Sequence, residues 1–250
     1  MYIFFKSLLF SIIIILFSIF FLGFGFLFIK IFIKVNKTDK MDYLLVIWCK
    51  FIMFLLKNVV KINYNIIGFD KLDKNKLYLI VSKHESVWEA FIMHTIMDRA
   101  PAFVLKKEML SVPFFGWALS NGTHIGINRK EGLTSLKKII RESKKYLATG
   151  HNIIIFPQGT RVPYNSDIND YPYKIGFVVL AKELGVDLVP VALNSGKLWK
   201  KKQFMKYPGT ITMEFMEPIK YKDIRRMKNK DILNAVKSLI ENRCDILNKQ

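Results

Sequence analysis

Two short segments bring together residue types suited to acid–base and anion-directed chemistry. The first is Ser82-Lys83-His84-Glu85-Ser86-Val87-Trp88-Glu89, where an apolar run gives way to a helical pattern. His84 is a candidate general base, because imidazole ordinarily titrates close to neutrality. Glu89, five positions later, can fold back and accept from one ring nitrogen, leaving the other free to take a proton. Five residues is the wrong spacing for two side chains on one helical face, so His84 must then lie in the loop before the helix. A structural role competes for the same carboxylate. Ser86-x-x-Glu89 reads as a capping box, in which the glutamate satisfies a backbone N–H at the helix start. The two roles share oxygens without excluding each other.

The second segment is Phe156-Pro157-Gln158-Gly159-Thr160-Arg161, again directly after an apolar run. Proline and glycine shape a turn, the Gly159 and Thr160 N–H groups can face an anion, and Arg161 can grip phosphate oxygens with two parallel hydrogen bonds. Asn128-Arg129 closes another apolar run and offers a further cation. Taken singly, each also fits an ordinary surface loop with a solvated arginine. His84 to Trp88 lacks the second histidine of a zinc-protease helix, Cys49 and Cys244 have no metal-ligand spacing, and no Gly-x-Ser-x-Gly elbow occurs. No metal site is expected.

The elements that must position these residues follow from the pattern after Asn63, where short β-rich runs alternate with longer helical ones, the signature of an α/β domain. Strands are expected at 77–81, 102–105, 124–127, 153–156, 187–193 and 210–215, and helices at 87–97, 113–119, 133–147 and 175–184, with a charged helical tail. Both candidate segments then fall at the carboxyl ends of buried strands, where sites form in such sheets.

Ahead of this domain, Ser7 to Ile29 contains no charged residue, and as a helix it would extend roughly 35 Å, enough to cross a hydrocarbon core. It runs on into Lys30 with no small-residue cleavage pattern, which favours a retained anchor over a signal peptide. Lys30, Lys34, Lys37 and Lys40 follow it and only Lys6 precedes it, which places the remainder of the chain in the cytoplasm. Tyr43 to Val60 carries Lys50 and Lys57 and reads either as an amphipathic helix on the membrane or as a core helix with snorkelling lysines. The expected organisation is transmembrane and membrane-associated helices over 1–60 and a catalytic domain over 61–250.

Lys and Arg outnumber Asp and Glu by 39 to 20, a formal charge of +19 that calls for an anionic partner. With 51% hydrophobic residues and 21 Phe, that partner is expected to be a membrane surface rather than nucleic acid. Lys197, Lys200, Lys201, Lys202 and Lys206 form a basic run suited to lipid headgroups or an acidic carrier protein.

Together these segments resemble the glycerolipid acyltransferase family, closest to the bacterial 1-acylglycerol-3-phosphate O-acyltransferases, over about Lys61 to Pro218. The family's His-x4-Asp motif falls on His84 to Glu89, with Glu in place of Asp. Its arginine-ending motif falls on Gly126 to Arg129, its Phe-Pro-Glu-Gly-Thr-Arg motif on Phe156 to Arg161 with Gln158 in the Glu position, and its proline-bearing strand on Val189-Pro190-Val191-Ala192. Lys106 to Met109 followed by Pro113 to Trp117 also looks like the family's connecting segment.

The resemblance implies a mixed, mostly parallel sheet flanked by helices, with catalytic His84 and Glu89. Arg129, Gly159, Thr160 and Arg161 would hold the acceptor phosphate, and some of these donors would also serve the oxyanion. It implies acyl transfer to lysophosphatidic acid from acyl-CoA or acyl carrier protein as co-substrate, with no resident cofactor, at the cytoplasmic side of the inner membrane. Gln158 removes a charge expected beside the phosphate-binding arginine, which bears on acceptor choice. The alternatives are another lysophospholipid or an amino-acid lipid as acceptor, an inactive family member, and a non-catalytic membrane-tethered binder of anionic lipid or nucleic acid.

Overall fold

The computed structural model describes residues 1–249, in which seven strands form one sheet. They are β1 (Ile62–Ile67), β2 (Tyr78–Ser82), β3 (Ala102–Lys106), β4 (His124–Ile127), β5 (Ile153–Ile155), β6 (Asp187–Leu193) and β7 (Gly209–Phe215), in the order β1-β7-β6-β2-β5-β3-β4. Neighbours run parallel except β6 and β7, which are antiparallel. The sheet is therefore mixed and mostly parallel.

β2 lies at the centre, and all five of its residues are buried because both sheet faces are covered. β1 was not expected. It is an edge strand with asparagines at 63 and 65 and little burial, so neither composition nor alternation marks it, and its pairing with distant β7 defines it.

Alternation along β3 sorts the helices. Phe103 and Leu105 face a core shared with α3 (Lys37–Leu55), α4 (Trp88–Ile96) and α5 (Phe115–Asn121). Ala102 and Val104 face the other core, built with α6 (Gly132–Ala148), α7 (Gly176–Leu184) and α9 (Asn229–Lys249). A short helix, α8 (Tyr221–Ile224), precedes α9.

The first 32 residues are nearly all helical: α1 (Tyr2–Phe17) and α2 (Gly23–Phe32) are joined by a π-helical turn at Ser18–Leu22. Its residues Tyr2–Phe32, with a mean hydropathy of 3.0, are long and apolar enough to cross a membrane. One side of this helix docks on the protein. Ser7 Oγ accepts the Lys206 N–H at 2.9 Å, Ser18 Oγ accepts the Trp48 indole N–H at 2.9 Å, and Phe26 packs on Trp117. The opposite side exposes Phe5, Leu9, Ile12, Leu16, Phe20 and Phe24, a continuous apolar surface that associates the chain with membrane.

Of the two readings of Tyr43 to Val60, the fold supports the core helix. Leu45, Trp48, Ile52 and Leu56 are buried, and Trp48 packs against Phe91 of α4 and Phe115 of α5. Lys50 and Lys57 point outward.

Lys206 corrects the expected basic run. It is buried, its ammonium donates to the Phe204 carbonyl at 2.9 Å and lies over the rings of Phe10, Trp199 and Phe204, and burial pushes its pKa down. Sequence spacing alone cannot separate a lysine that anchors α1 from one that meets a ligand.

Candidate active site

His84 occupies the loop between β2 and α4, as pairing with Glu89 requires. Its Nδ1 stands 3.5 Å from Glu89 Oε1, and Glu89 is completely buried in the first turn of α4. Glu89 Oε1 also accepts the backbone N–H groups of Glu85 at 2.6 Å and Ser86 at 2.8 Å. Capping and contact with His84 thus coexist on one oxygen. Phe156 stacks flat on the imidazole, with ring centroids 3.9 Å apart, and so fixes the ring plane. Sequence reading missed this partner, because an apolar residue ending a strand carries no such signal.

A second bond ties the two motif loops together: Val162 N–H donates to the His84 carbonyl at 2.7 Å. Gly159, at φ +71°, turns its loop in the left-handed region that favours glycine. Its N–H closes that turn on the Phe156 carbonyl at 2.9 Å. The expected anion donor at Gly159 is therefore already engaged, whereas the Thr160 N–H makes no hydrogen bond among the described residues. The Thr160 hydroxyl accepts from Lys201 at 3.1 Å.

Arg129 and Arg161 both line one cavity with His84, and neither has a carboxylate within ion-pair distance among the described residues. Lys174 stands beside Gly159 and Arg129, and Lys201 lies near Arg161, where burial and neighbouring cations lower its pKa. These cations converge at one end of the sheet with no carboxylate in ion-pair distance among the described residues, an arrangement that fits an anionic ligand.

Gln158 does not sit among them. It is buried on the opposite face of the sheet, and its amide donates to Glu241 of α9 at 3.3 Å. The expectation that it changes the charge beside the phosphate-directed arginine is corrected: the turn at Pro157 and Gly159 sends side chain 158 inward.

The cavity beyond His84 holds about 280 Å³ and is walled by Trp48, Phe91, Phe103, Leu105 and Leu119 among others. His94 and His124 are buried in its wall. Burial pushes His94 down to about 4 and His124 well below its ordinary value, so both are neutral near pH 7. Three walls come from different layers, with Leu45 and Trp48 on α3, Val87 and Phe91 around α4, and Phe103 and Leu105 on β3. No group of three metal-ligating side chains occurs among the described residues.

A base held against a carboxylate, an apolar slot and unpaired cations form one continuous site, and residues 63–194, which contain all of its motifs, match the Acyltransferase family model. The chain belongs to the acyltransferase family.

Among curated relatives, the 1-acyl-sn-glycerol-3-phosphate acyltransferase of Pseudomonas aeruginosa is 37% identical over 164 residues, covering 66% of this chain and 62% of that one. The yeast Saccharomyces cerevisiae protein of the same name is 26% identical, covering 70% of this chain and 57% of its own length. The match thus spans about three fifths of these relatives. The crystal structure of the lysophosphatidic acid acyltransferase PlsC from Thermotoga maritima superposes with a TM-score of 0.76 at 19% identity, covering 98% of this acyltransferase and 97% of that chain. It establishes the shared fold.

Proposed function

We propose that this acyltransferase moves a fatty acyl group from an acyl thioester to the sn-2 hydroxyl of 1-acyl-sn-glycerol-3-phosphate, forming phosphatidic acid. The observation that carries this reading is the position of His84, backed by Glu89 at the boundary between an apolar cavity and unpaired cations. Acyl chain, hydroxyl and phosphate each find a matching surface there. The relatives' names support the acceptor.

In this mechanism Glu89 faces Nδ1 and stabilises the protonated ring, while Nε2 takes the hydroxyl proton as the oxygen attacks the thioester carbonyl. The new C–O bond forms an oxyanion, the C–S bond breaks, and the proton passes from His84 to the leaving sulfur. Arg129, Arg161 and the Thr160 N–H hold the acceptor phosphate, Gly159 shapes that loop, and one of these donors also faces the oxyanion. The 3.5 Å His84–Glu89 contact is longer than a hydrogen bond, and closure on substrate shortens it. Acyl-CoA or acyl-acyl carrier protein is the co-substrate, releasing CoA or acyl carrier protein as the thiol, and the reading calls for no resident cofactor.

The chain works at the cytoplasmic face of the inner membrane. Helix α1–α2 touches the domain at both Ser7 and Phe26, roughly 28 Å apart at helical rise, so it runs along the domain surface. That contact favours seating in one leaflet over an isolated span.

The test is transfer by full-length protein in micelles, with a thioester donor and a panel of acceptors. Phosphatidic acid formation that disappears in His84→Ala is expected. Transfer only to another lysophospholipid or an amino-acid lipid would move the assignment, and an active His84→Ala would remove the proposed base.

A further inference from the structure

Beneath the site, on the sheet face away from the cavity, lies a buried polar cluster that the proposed reaction does not use. Lys83, immediately before His84, sends its ammonium to both oxygens of Glu241 at 2.9 and 2.6 Å, and its side chain is only 7% exposed. Glu241 Oε1 also accepts the Tyr173 hydroxyl at 2.7 Å and the Gln158 amide at 3.3 Å. One carboxylate on α9 therefore holds three side chains from two loops, β2–α4 and β5–α7.

Both loops carry the site. Adjacent residues in extended backbone point to opposite faces, so clamping Lys83 from below sets where His84 emerges above. Gln158 lies within the segment that ends in Arg161. Tyr173 precedes Lys174, whose N–H donates to the Pro157 carbonyl at 3.0 Å and braces the same segment. Burial, then the neighbouring Glu241 charge, raises the Tyr173 pKa well above its ordinary value, which keeps the phenol protonated as the donor.

We propose that Glu241 is a positioning residue for acyl transfer, whose carboxylate fixes the His84 and Arg161 loops in their mutual register through Lys83, Gln158 and Tyr173. The inference rests on the functional reading above and extends it to a helix outside the family-matched residues 63–194. Nothing in the local sequence of α9 sets Glu241 apart from a solvated helix glutamate. Its role comes from contacts 158, 83 and 68 residues away in the chain.

The geometry supplies a charge-relocation test. Glu241→Gln leaves Lys83 buried without its ion-pair partner, and Gln158→Glu combined with Glu241→Gln moves the carboxylate across the existing 3.3 Å hydrogen bond. Full-length variants in micelles are read two ways: kcat, and the rate at which diethyl pyrocarbonate modifies His84, followed by mass spectrometry and independent of turnover. Glu241→Gln is expected to lower kcat about tenfold or more, as small misplacements do, and to change the His84 modification rate severalfold. The double variant is expected to recover both.

Wild-type kcat and a wild-type modification rate in Glu241→Gln, with only its melting temperature lowered, would overturn the proposal. So would a double variant as impaired as the single one. Should Glu241→Gln not fold, Tyr173→Phe carries the test, because it removes one bond and leaves the ion pair. An altered His84 modification rate supports the proposal, and wild-type values on both readouts overturn it. An inactive wild type would sink the functional reading, while the modification rates would still decide the role of Glu241.

Discussion

His84 Nδ1 and Glu89 Oε1 stand 3.5 Å apart, with the same oxygen accepting two backbone N–H groups from the intervening loop. The loop therefore wraps around the carboxylate, and the helix cap sets the distance to the base. Glu89 accommodates its extra methylene, relative to aspartate, by reaching back from the first turn of α4.

Glu89→Gln separates the two roles. Its amide oxygen still accepts the Glu85 and Ser86 N–H groups, so stability should fall by no more than about 1 kcal/mol. The negative charge behind the imidazolium is lost, and kcat should drop by about 100-fold or more. Circular dichroism melts alongside initial rates check this. A variant that melts early yet turns over normally would make Glu89 a cap alone.

Arg129→Lys and Arg161→Lys test the phosphate assignment. Lysine keeps the charge and loses the planar fork, so each should cost about 1.5–3 kcal/mol of acceptor binding, seen as a raised acceptor KM. Donor KM should hold steady. Equal changes for donor and acceptor would place these arginines elsewhere in the cycle.

Leu119→Trp should narrow the apolar cavity and shift preference toward shorter acyl thioesters, at about 0.8 kcal/mol for each methylene that no longer fits. Competition between donors of different chain length measures the shift. An unchanged profile would mean the acyl chain lies outside this cavity.

Glu85 supplies a pH test of the folded state. It is buried, with Oε2 accepting the Gly196 N–H at 2.9 Å, and burial pushes its pKa from 4.5 to about 8. The folded state binds this proton more tightly than the unfolded chain. Its contribution to stability is thus fully present below pH 4.5 and lost as pH rises through about 8. Glu85→Gln, which keeps an oxygen for Gly196, should match the wild type in acid and be more stable above pH 8. Melts across that range decide it, and parallel curves would argue against the burial effect.

Local spacing and side-chain type were enough to place the candidate residues along the chain. His84 before a helix, Glu89 in its first turn, Arg129 and Arg161 after apolar runs, and the alternation that builds an α/β sheet all follow from spacing and side-chain type. Each depends on neighbours within a few residues, which is the range over which backbone geometry fixes direction. Where long-range contacts compete, folding settled the outcome. It turned Gln158 inward to Glu241, engaged the Gly159 N–H in a turn, buried Lys206 against α1, stacked Phe156 on His84 and paired β1 with β7. Those outcomes depend on which surface covers a side chain once the sheet has closed, and residues far along the chain set that surface.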